Sequence, residues 1–241
     1  MPAGAAAPPE PLDKRRYVRE VFSEIAPRYD FLNHLLSLNI DRSWRRRVVE
    51  RLGWERTPAG VFLDACAGTM DLSAALATRP GFQGHVVASD FALPMLRLGR
   101  AKTRGGVVTG TVADTLDLPF ADGTFDGAMV AFGVRNLSSL EAGLSELLRV
   151  LRPEARLVIL DFTIPPSAPM RAAYLFYFRR VLPLVGRIVS GHPTAYRYLP
   201  DSVGGFPPPG SLVSLLAHAG FRDPGYVLLT GGIAAVHWGL R

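Results

Sequence analysis

From residue 61 onward, short apolar runs alternate with Ala/Leu-rich stretches of helical length, and this rhythm restricts the chain more than any other feature. The strand candidates are VFLDA (61–65), HVVASD (85–90), GVVTGTVA (106–113), FDGAMVAF (125–132) and ARLVILDF (155–162). Helices are expected between them at 71–78, 92–103 and 138–151. A parallel pair needs a long crossover, so this spacing means right-handed strand–helix–strand units and a parallel sheet covered on both faces. A further helix at 210–219 precedes YVLLT and IAAVHWG, which only two glycines separate. So short a link forces a hairpin, and one strand then runs antiparallel. The expected architecture is α/β, a seven-stranded, mostly parallel sheet with one antiparallel strand.

The segments on either side of this core read differently. Residues 1–16, MPAGAAAPPEPLDKRR, lack a continuous apolar stretch and read as a disordered N-terminal arm, with no signal peptide. In YVREVFSEIA, Val18, Val21, Phe22 and Ile25 share one helical face. Asp41 is a candidate cap for RSWRRRVVERL, where Trp44, Val48 and Leu52 form a stripe and Gly53 stops the helix. After residue 162 the alternation lapses into a long, aromatic, Pro-rich and basic stretch, which reads as an inserted helical cap. The layout is therefore one domain, 17–241: N-terminal helices (17–56), a core (57–162), a cap that meets substrate (163–209), and a final helix and hairpin (210–241).

Composition excludes several classes. The only cysteine among the 241 residues is Cys66, so neither an intrachain disulfide nor a cysteine-cluster zinc site can form, which suits a reducing cytosol. The five histidines are scattered without metal-ligand spacing, so no metal site is expected. The longest uncharged runs are broken by Pro and Gly, which argues against a membrane-spanning helix. Residues 57–162 carry 9 basic and 11 acidic side chains, whereas 163–201 carry 5 and 1. The positive excess thus lies outside the core. Interleaved with apolar residues, it suits an anionic membrane surface, or equally a solvated Arg-rich face.

The loop VFLDACAGTMDLSAAL (61–76) opens like a nucleotide-binding turn but holds one glycine, Gly68, where a dinucleotide site needs three. Ligands of such sheets sit beyond the carboxyl ends of the strands, at the switch point in strand order. Asp64 and its loop end the first strand there. Asp90 ends the second and is placed to accept from a ribose diol; Asp114 follows the third, near where an adenine edge would lie. Four acids (Asp64, Asp71, Asp90, Asp114) and few cations disfavour pyrophosphate, and with it a dehydrogenase. An adenosyl ligand carrying positive charge fits better, and S-adenosyl-L-methionine is one. Each of these acids also has a plain structural use, as a loop cap, a strand-end acid or a turn residue, and Cys66 reads as a small filler.

At this point the chain resembles the class I S-adenosylmethionine methyltransferases, and within them the quinone C-methyltransferases of ubiquinone and menaquinone biosynthesis. The resemblance covers nearly the whole chain from about Arg19 and rests on YDFLNHLLSLNIDRSW, LDACAGTMDL, LPFADGTFD, FGVRN, RVLRPEARLVILDF, YRYLPDS and AAVHWG. It implies a Rossmann-like fold and Thr69 and Asp90 as cofactor contacts. It also implies Asp114 and Thr115 flanking the adenine, and Ala131 beneath the cofactor at the end of the fourth strand. The chain departs from the family at three places. Met70 stands where the loop often has Gly, and is expected to narrow the approach to the methionine part. Asp41 stands where His is usual, and Glu154-Ala155 replaces Gly-Gly.

The resemblance implies methylation of a polyprenyl hydroquinone ring, demethylmenaquinol in the first instance. A ubiquinone precursor, another lipophilic aromatic acceptor and a non-catalytic relative stay open as alternatives. Such a reaction needs an oriented carbon nucleophile, exclusion of water and a base. Tyr196, Arg197 and Tyr198 of the cap are the candidate catalytic residues, Arg197 to stabilise a phenolate and a tyrosine to relay the proton. Arg135 and Asn136 either orient the cap, touch substrate or serve a structural role. The helix MRAAYLFYFRRVLPLVG is expected to meet the membrane surface, with a homodimer face or the buried half of the cap as the alternatives. The expected location is the cytoplasm, peripheral on the inner face of the cell membrane. No nucleic acid is expected as a partner, since no catalytic Asn-Pro-Pro-aromatic or Cys-Pro motif is present.

Overall fold

The computed structural model describes residues 15, 16, 18–20, 22, 23, 26, 37, 39–103, 105–177, 180 and 202–241. Seven strands form one sheet: β1 (Val61–Ala65), β2 (His85–Asp90), β3 (Val108–Val112), β4 (Phe125–Ala131), β5 (Leu151–Phe162), β6 (Arg222–Leu229) and β7 (Ala234–Leu240). Their order is β3-β2-β1-β4-β5-β7-β6. The pairs β1–β2, β1–β4, β2–β3 and β4–β5 are parallel; β7 is antiparallel to both β5 and β6, so it alone is reversed. The expected seven-stranded α/β sheet with one antiparallel strand is what forms.

Successive side chains of a strand point to opposite faces, and here both faces are covered. Leu63, Ala128, Val130, Leu157 and Ile159 face one helical layer, α4 (Leu140–Val150) and α6 (Pro209–His218), through Leu144, Leu147, Leu212 and Leu216. Phe62, Met129, Val158 and Leu160 face the other, α1 (Ile40–Leu52) and α2 (Asp71–Ala77), through Trp44, Val48, Val49 and Leu76. Each such side chain, when fully buried, contributes about 1.5–3 kcal/mol. The third crossover helix, α3 (Leu93–Gly99), follows β2. In the cap region the described helix is α5 (Ala168–Phe176). Arg15, Arg16 and Val18 are helical, so helix begins within the stretch read from sequence as an arm.

One local reading changes, and one departure from the family is explained. Asp41 does not cap α1. Asn39, in the left-handed conformation at φ 62°, precedes the helix, and Asp41 lies in its first turn, paired with Arg45. Glu154 keeps a left-handed backbone (φ 67°), so the positive angle that a Gly-Gly turn would supply is retained without glycine. Its carboxylate pairs with Arg222, and its N–H donates to the Arg241 carbonyl at 3.0 Å.

Because β2 and β3 lie on one side of β1 and β4 on the other, the strand order reverses between β1 and β4. The carboxyl ends of these two strands bracket the switch-point crevice.

Candidate active site

Beyond β1 and β4 lies a cleft with about 650 Å³ of space continuous with solvent. Gly68, Asp90, Asp114, Thr115 and Ala131 line it, together with Cys66, Phe91, Met95, Phe132, Gly133 and, from the N-terminal helix, Arg15 and Phe22. A smaller cavity shares Cys66, Gly68 and Ala131 with it and adds Arg45, Asp64, Thr69 and Asp71. All seven sequence-predicted cofactor positions therefore line one or other of two adjoining cavities. Tyr196, Arg197 and Tyr198 lie outside the described residues.

The loop after β1 is built on left-handed residues: Cys66 (φ 52°), Gly68 (φ 53°) and Met70 (φ 61°). Two buried carboxylates hold it open. Asp64 accepts from the backbone N–H (2.9 Å) and hydroxyl (2.6 Å) of Ser73, tying the strand end to the first turn of α2. Burial pushes its pKa up to about 7 against those hydrogen bonds. Asp90 accepts from Ala92 N–H and Gly68 N–H, each at 2.8 Å, so one acid fixes both its own turn and the glycine of the loop. Burial raises it to about 6. No cation among the described residues pairs with either acid.

On the third strand's side, Asp114 accepts from Leu116 N–H at 2.9 Å and pairs with Arg15, 99 residues away. The hydroxyl of Thr115 lies 3.3 Å from Cys66 Sγ. Burial, then the charge of Asp90, pushes the Cys66 thiol up to about 12, so it stays protonated at neutral pH and fills space.

FGVRN has a packing explanation. Phe132 turns the chain in the left-handed conformation (φ 59°), and a Cβ on Gly133 would stand 2.4 Å from that of Cys66. Arg135 reaches back to Asp161 at 2.6 Å and to the Phe132 carbonyl at 2.7 Å, both side chains buried, with its guanidinium over the Phe162 ring. Asp161 is nonetheless raised, because desolvation outweighs the attraction of Arg135. The charges of this pair are also felt by Tyr174 of α5, so it stands where the core meets the cap.

Met70 departs from expectation. Its side chain is 1% exposed and lines neither cavity; it packs on Ala88 and Leu96, away from the cleft. Two glycines make room for it. A Cβ at Gly99 would meet Met70 Cγ at 2.6 Å, and one at Gly110 would meet Cε at 2.8 Å. Met70 therefore does not narrow the approach to the loop.

Residues that local patterns did not reveal include Arg15, Phe22, Phe132, Arg45 and Lys102. Phe22 carried a signal in its helical stripe; Arg45 was hidden in an Arg-rich run that reads as a solvated face.

A buried acid at the end of each of the first two strands and a one-glycine loop give the cleft the chemistry of a site for an adenosyl ligand, and the comparisons with known proteins place the chain among the S-adenosylmethionine-dependent methyltransferases. Solved methyltransferases share the fold. One from Thermotoga maritima superposes with a TM-score of 0.64 at 17% identity over 92% of this chain and 98% of its own. A Haemonchus contortus phosphoethanolamine N-methyltransferase solved with S-adenosyl-L-methionine gives 0.61 at 12% identity, over 83% and 52%. The chain belongs to the ubiE/COQ5 methyltransferase family, whose model matches residues 11–241. It is 50% identical to the demethylmenaquinone methyltransferase of Thermus thermophilus over 92% of this chain and 100% of that protein. It is 43% identical to the ubiquinone/menaquinone biosynthesis C-methyltransferase UbiE of Geobacter sulfurreducens, over 94% and 89%.

Proposed function

We propose that this methyltransferase acts on the ring carbon of a polyprenyl hydroquinone, converting demethylmenaquinol to menaquinol. The observation that carries this reading is the match over the full length of the Thermus thermophilus relative, which bears that activity in its name. The chemistry of the lining fits the cofactor, since Asp64 and Asp90, which pair with no cation among the described residues, suit a ligand with positive charge and free hydroxyls. Asp90 would take the ribose diol, Asp114 and Thr115 would flank the adenine, and Ala131 would lie beneath the cofactor. Asp64, Gly68 and Thr69 surround the methionine end. When bound, S-adenosyl-L-methionine supplies a methyl group on a positive sulfur, already a good leaving group.

The protein's share is then to align the acceptor, exclude water and take a phenolic proton, so that electron density reaches the ring carbon. Once that carbon has taken the methyl group, its own hydrogen leaves as a proton and the ring regains aromaticity. We assign the proton transfer and phenolate stabilisation to the cap, at Tyr196, Arg197 and Tyr198. No helix among the described residues is long and apolar enough to cross a membrane. α5 exposes Met170 and Phe176 beside Arg171, which suits peripheral contact with the bilayer that holds the polyprenyl tail. A homodimer through that face is the competing use, and an assay of activity on vesicles against detergent-free solution separates the two.

The deciding experiment is methyl transfer from labelled S-adenosyl-L-methionine to short-tailed demethylmenaquinol, with the oxidised quinone as control. Label in the reduced acceptor alone is expected. Cofactor binding without transfer to either form would refute the acceptor.

A further inference from the structure

The smaller cavity poses a charge problem. A methionyl group brings a carboxylate as well as an ammonium, while the lining presents Asp64 and Asp71. Unless a cation stands close, the carboxylate would be repelled. Among the described residues, two cations are near. Lys102 is committed, its Nζ donating to Thr69 Oγ1 at 3.0 Å and to Asp71 Oδ1 at 2.5 Å, and it does not line the cavity. Arg45 does line it. Its side chain is 9% exposed, with Nη1 bound to Asp41 and Nη2 3.3 Å from Asp71 Oδ2. Its guanidinium also lies over the Phe132 ring, 5.4 Å from the centroid.

From this geometry we infer that Arg45 receives the carboxylate of the cofactor's methionyl group, and that Asp41 is the positioning residue that holds Arg45 for it. The inference rests on the cofactor reading and adds a recognition element from α1 to a loop-built site. A guanidinium carries five N–H donors in a planar fork, so two acid partners leave donors for a third carboxylate. Asp41 is held in turn by the Ser37 hydroxyl at 2.6 Å, and it pairs with Arg45 one turn along α1. That gives the acid standing in place of the family's usual His a role that involves no proton transfer. Without Asp41, the long arginine side chain would have more rotamers open to it and would spend less time directed at the cavity.

The test is calorimetric and needs no acceptor. Wild-type protein is titrated with S-adenosyl-L-methionine and with its decarboxylated analogue, which differs only in the missing carboxylate. A charged hydrogen-bonded pair predicts about ten- to hundred-fold weaker binding of the analogue. R45M is expected to lose the same factor for the intact cofactor and to bind the analogue as the wild type does. R45K, which keeps the charge but not the fork, should fall between. Equal losses for both ligands in R45M and R45K would show that Arg45 only supports the loop, and would overturn the inference. So would a wild type that does not distinguish the ligands. If R45M does not fold, the R45K comparison decides on the same criterion. A wild type that binds neither ligand would refute the cofactor reading itself, a different outcome from loss of discrimination.

Discussion

Replacing Met70 by glycine sets two effects against each other, and the structure says which should win. The residue sits at φ 61°, where a non-glycine side chain costs roughly 1–2 kcal/mol. Glycine removes that strain. It also empties the slot that Gly99 and Gly110 leave for the methionine, and truncating a fully buried methionine costs about 2–5 kcal/mol in lost contact and residual void. Glycine's greater freedom in the unfolded chain adds about 0.4–1 kcal/mol to the loss. The expected net effect of Met70→Gly is destabilisation by about 0.4–5 kcal/mol, centred near 3, read by urea unfolding, with a melting temperature lower by roughly 2–4 °C per kcal/mol. Met70→Ala opens nearly the same void and keeps the strained backbone, so it should be the less stable of the two variants, the reverse of their helix propensities. Because Met70 faces away from both cavities, affinity of the folded variants for S-adenosyl-L-methionine should stay within about threefold of the parent. A glycine variant as stable as the parent would refute the burial argument. An alanine variant more stable than the glycine one would refute the strain argument.

Other expectations follow from the same geometry. Asp90 must be ionised to accept a ribose diol and burial raises it to about 6, so cofactor affinity should fall as pH drops below that value, by up to about tenfold per unit; a flat calorimetric profile between pH 5 and 7 would count against the assignment. Asp64 is raised to about 7 in the folded protein against roughly 3.9 unfolded, so its contribution to stability is present at low pH and is lost as pH rises from about 4 to 7. Asp64→Asn abolishes that titration and should therefore gain, relative to the parent, on the order of a few kcal/mol between pH 4 and 8 in denaturant unfolding; a relative loss would reverse the sign argued here. Arg135→Met strands Asp161 without its buried partner and should cost about 3–5 kcal/mol, whereas a loss under about 1 kcal/mol would mean that the carboxyl simply protonates without penalty. Gly99→Ala puts a Cβ 2.8 Å from the Thr69 carbonyl carbon as well as against Met70, so stability by unfolding and cofactor affinity should both decline, and a change in stability alone would detach Thr69 from the cofactor.

Much of this molecule is readable locally. The alternation of apolar runs and helical stretches specifies the strands and crossover helices, because side-chain period and propensity act over a few residues. The link of two glycines between the last strands dictated the hairpin, and hence the reversed β7. The acids at strand ends were legible too, since a strand's carboxyl end in such a sheet has a known place. The remaining features were set by contacts between distant segments. Asp41 looks like a cap in the linear sequence, yet it serves as a partner for Arg45, because Asn39 starts the helix two residues earlier than its polar pattern suggests. Met70 looks like an obstruction in a cofactor loop. Its left-handed backbone instead directs the side chain into a slot made by glycines 29 and 40 residues further on. Arg15 meets Asp114 and Arg45 meets Asp71 across separations of 99 and 26 residues, and no short-range pattern encodes such meetings. The sequence alone determines where backbone hydrogen bonds and apolar faces go, since those preferences are local and repeat. The tertiary structure decides which charges face one cavity, because that depends on how the packed layers bring remote side chains together.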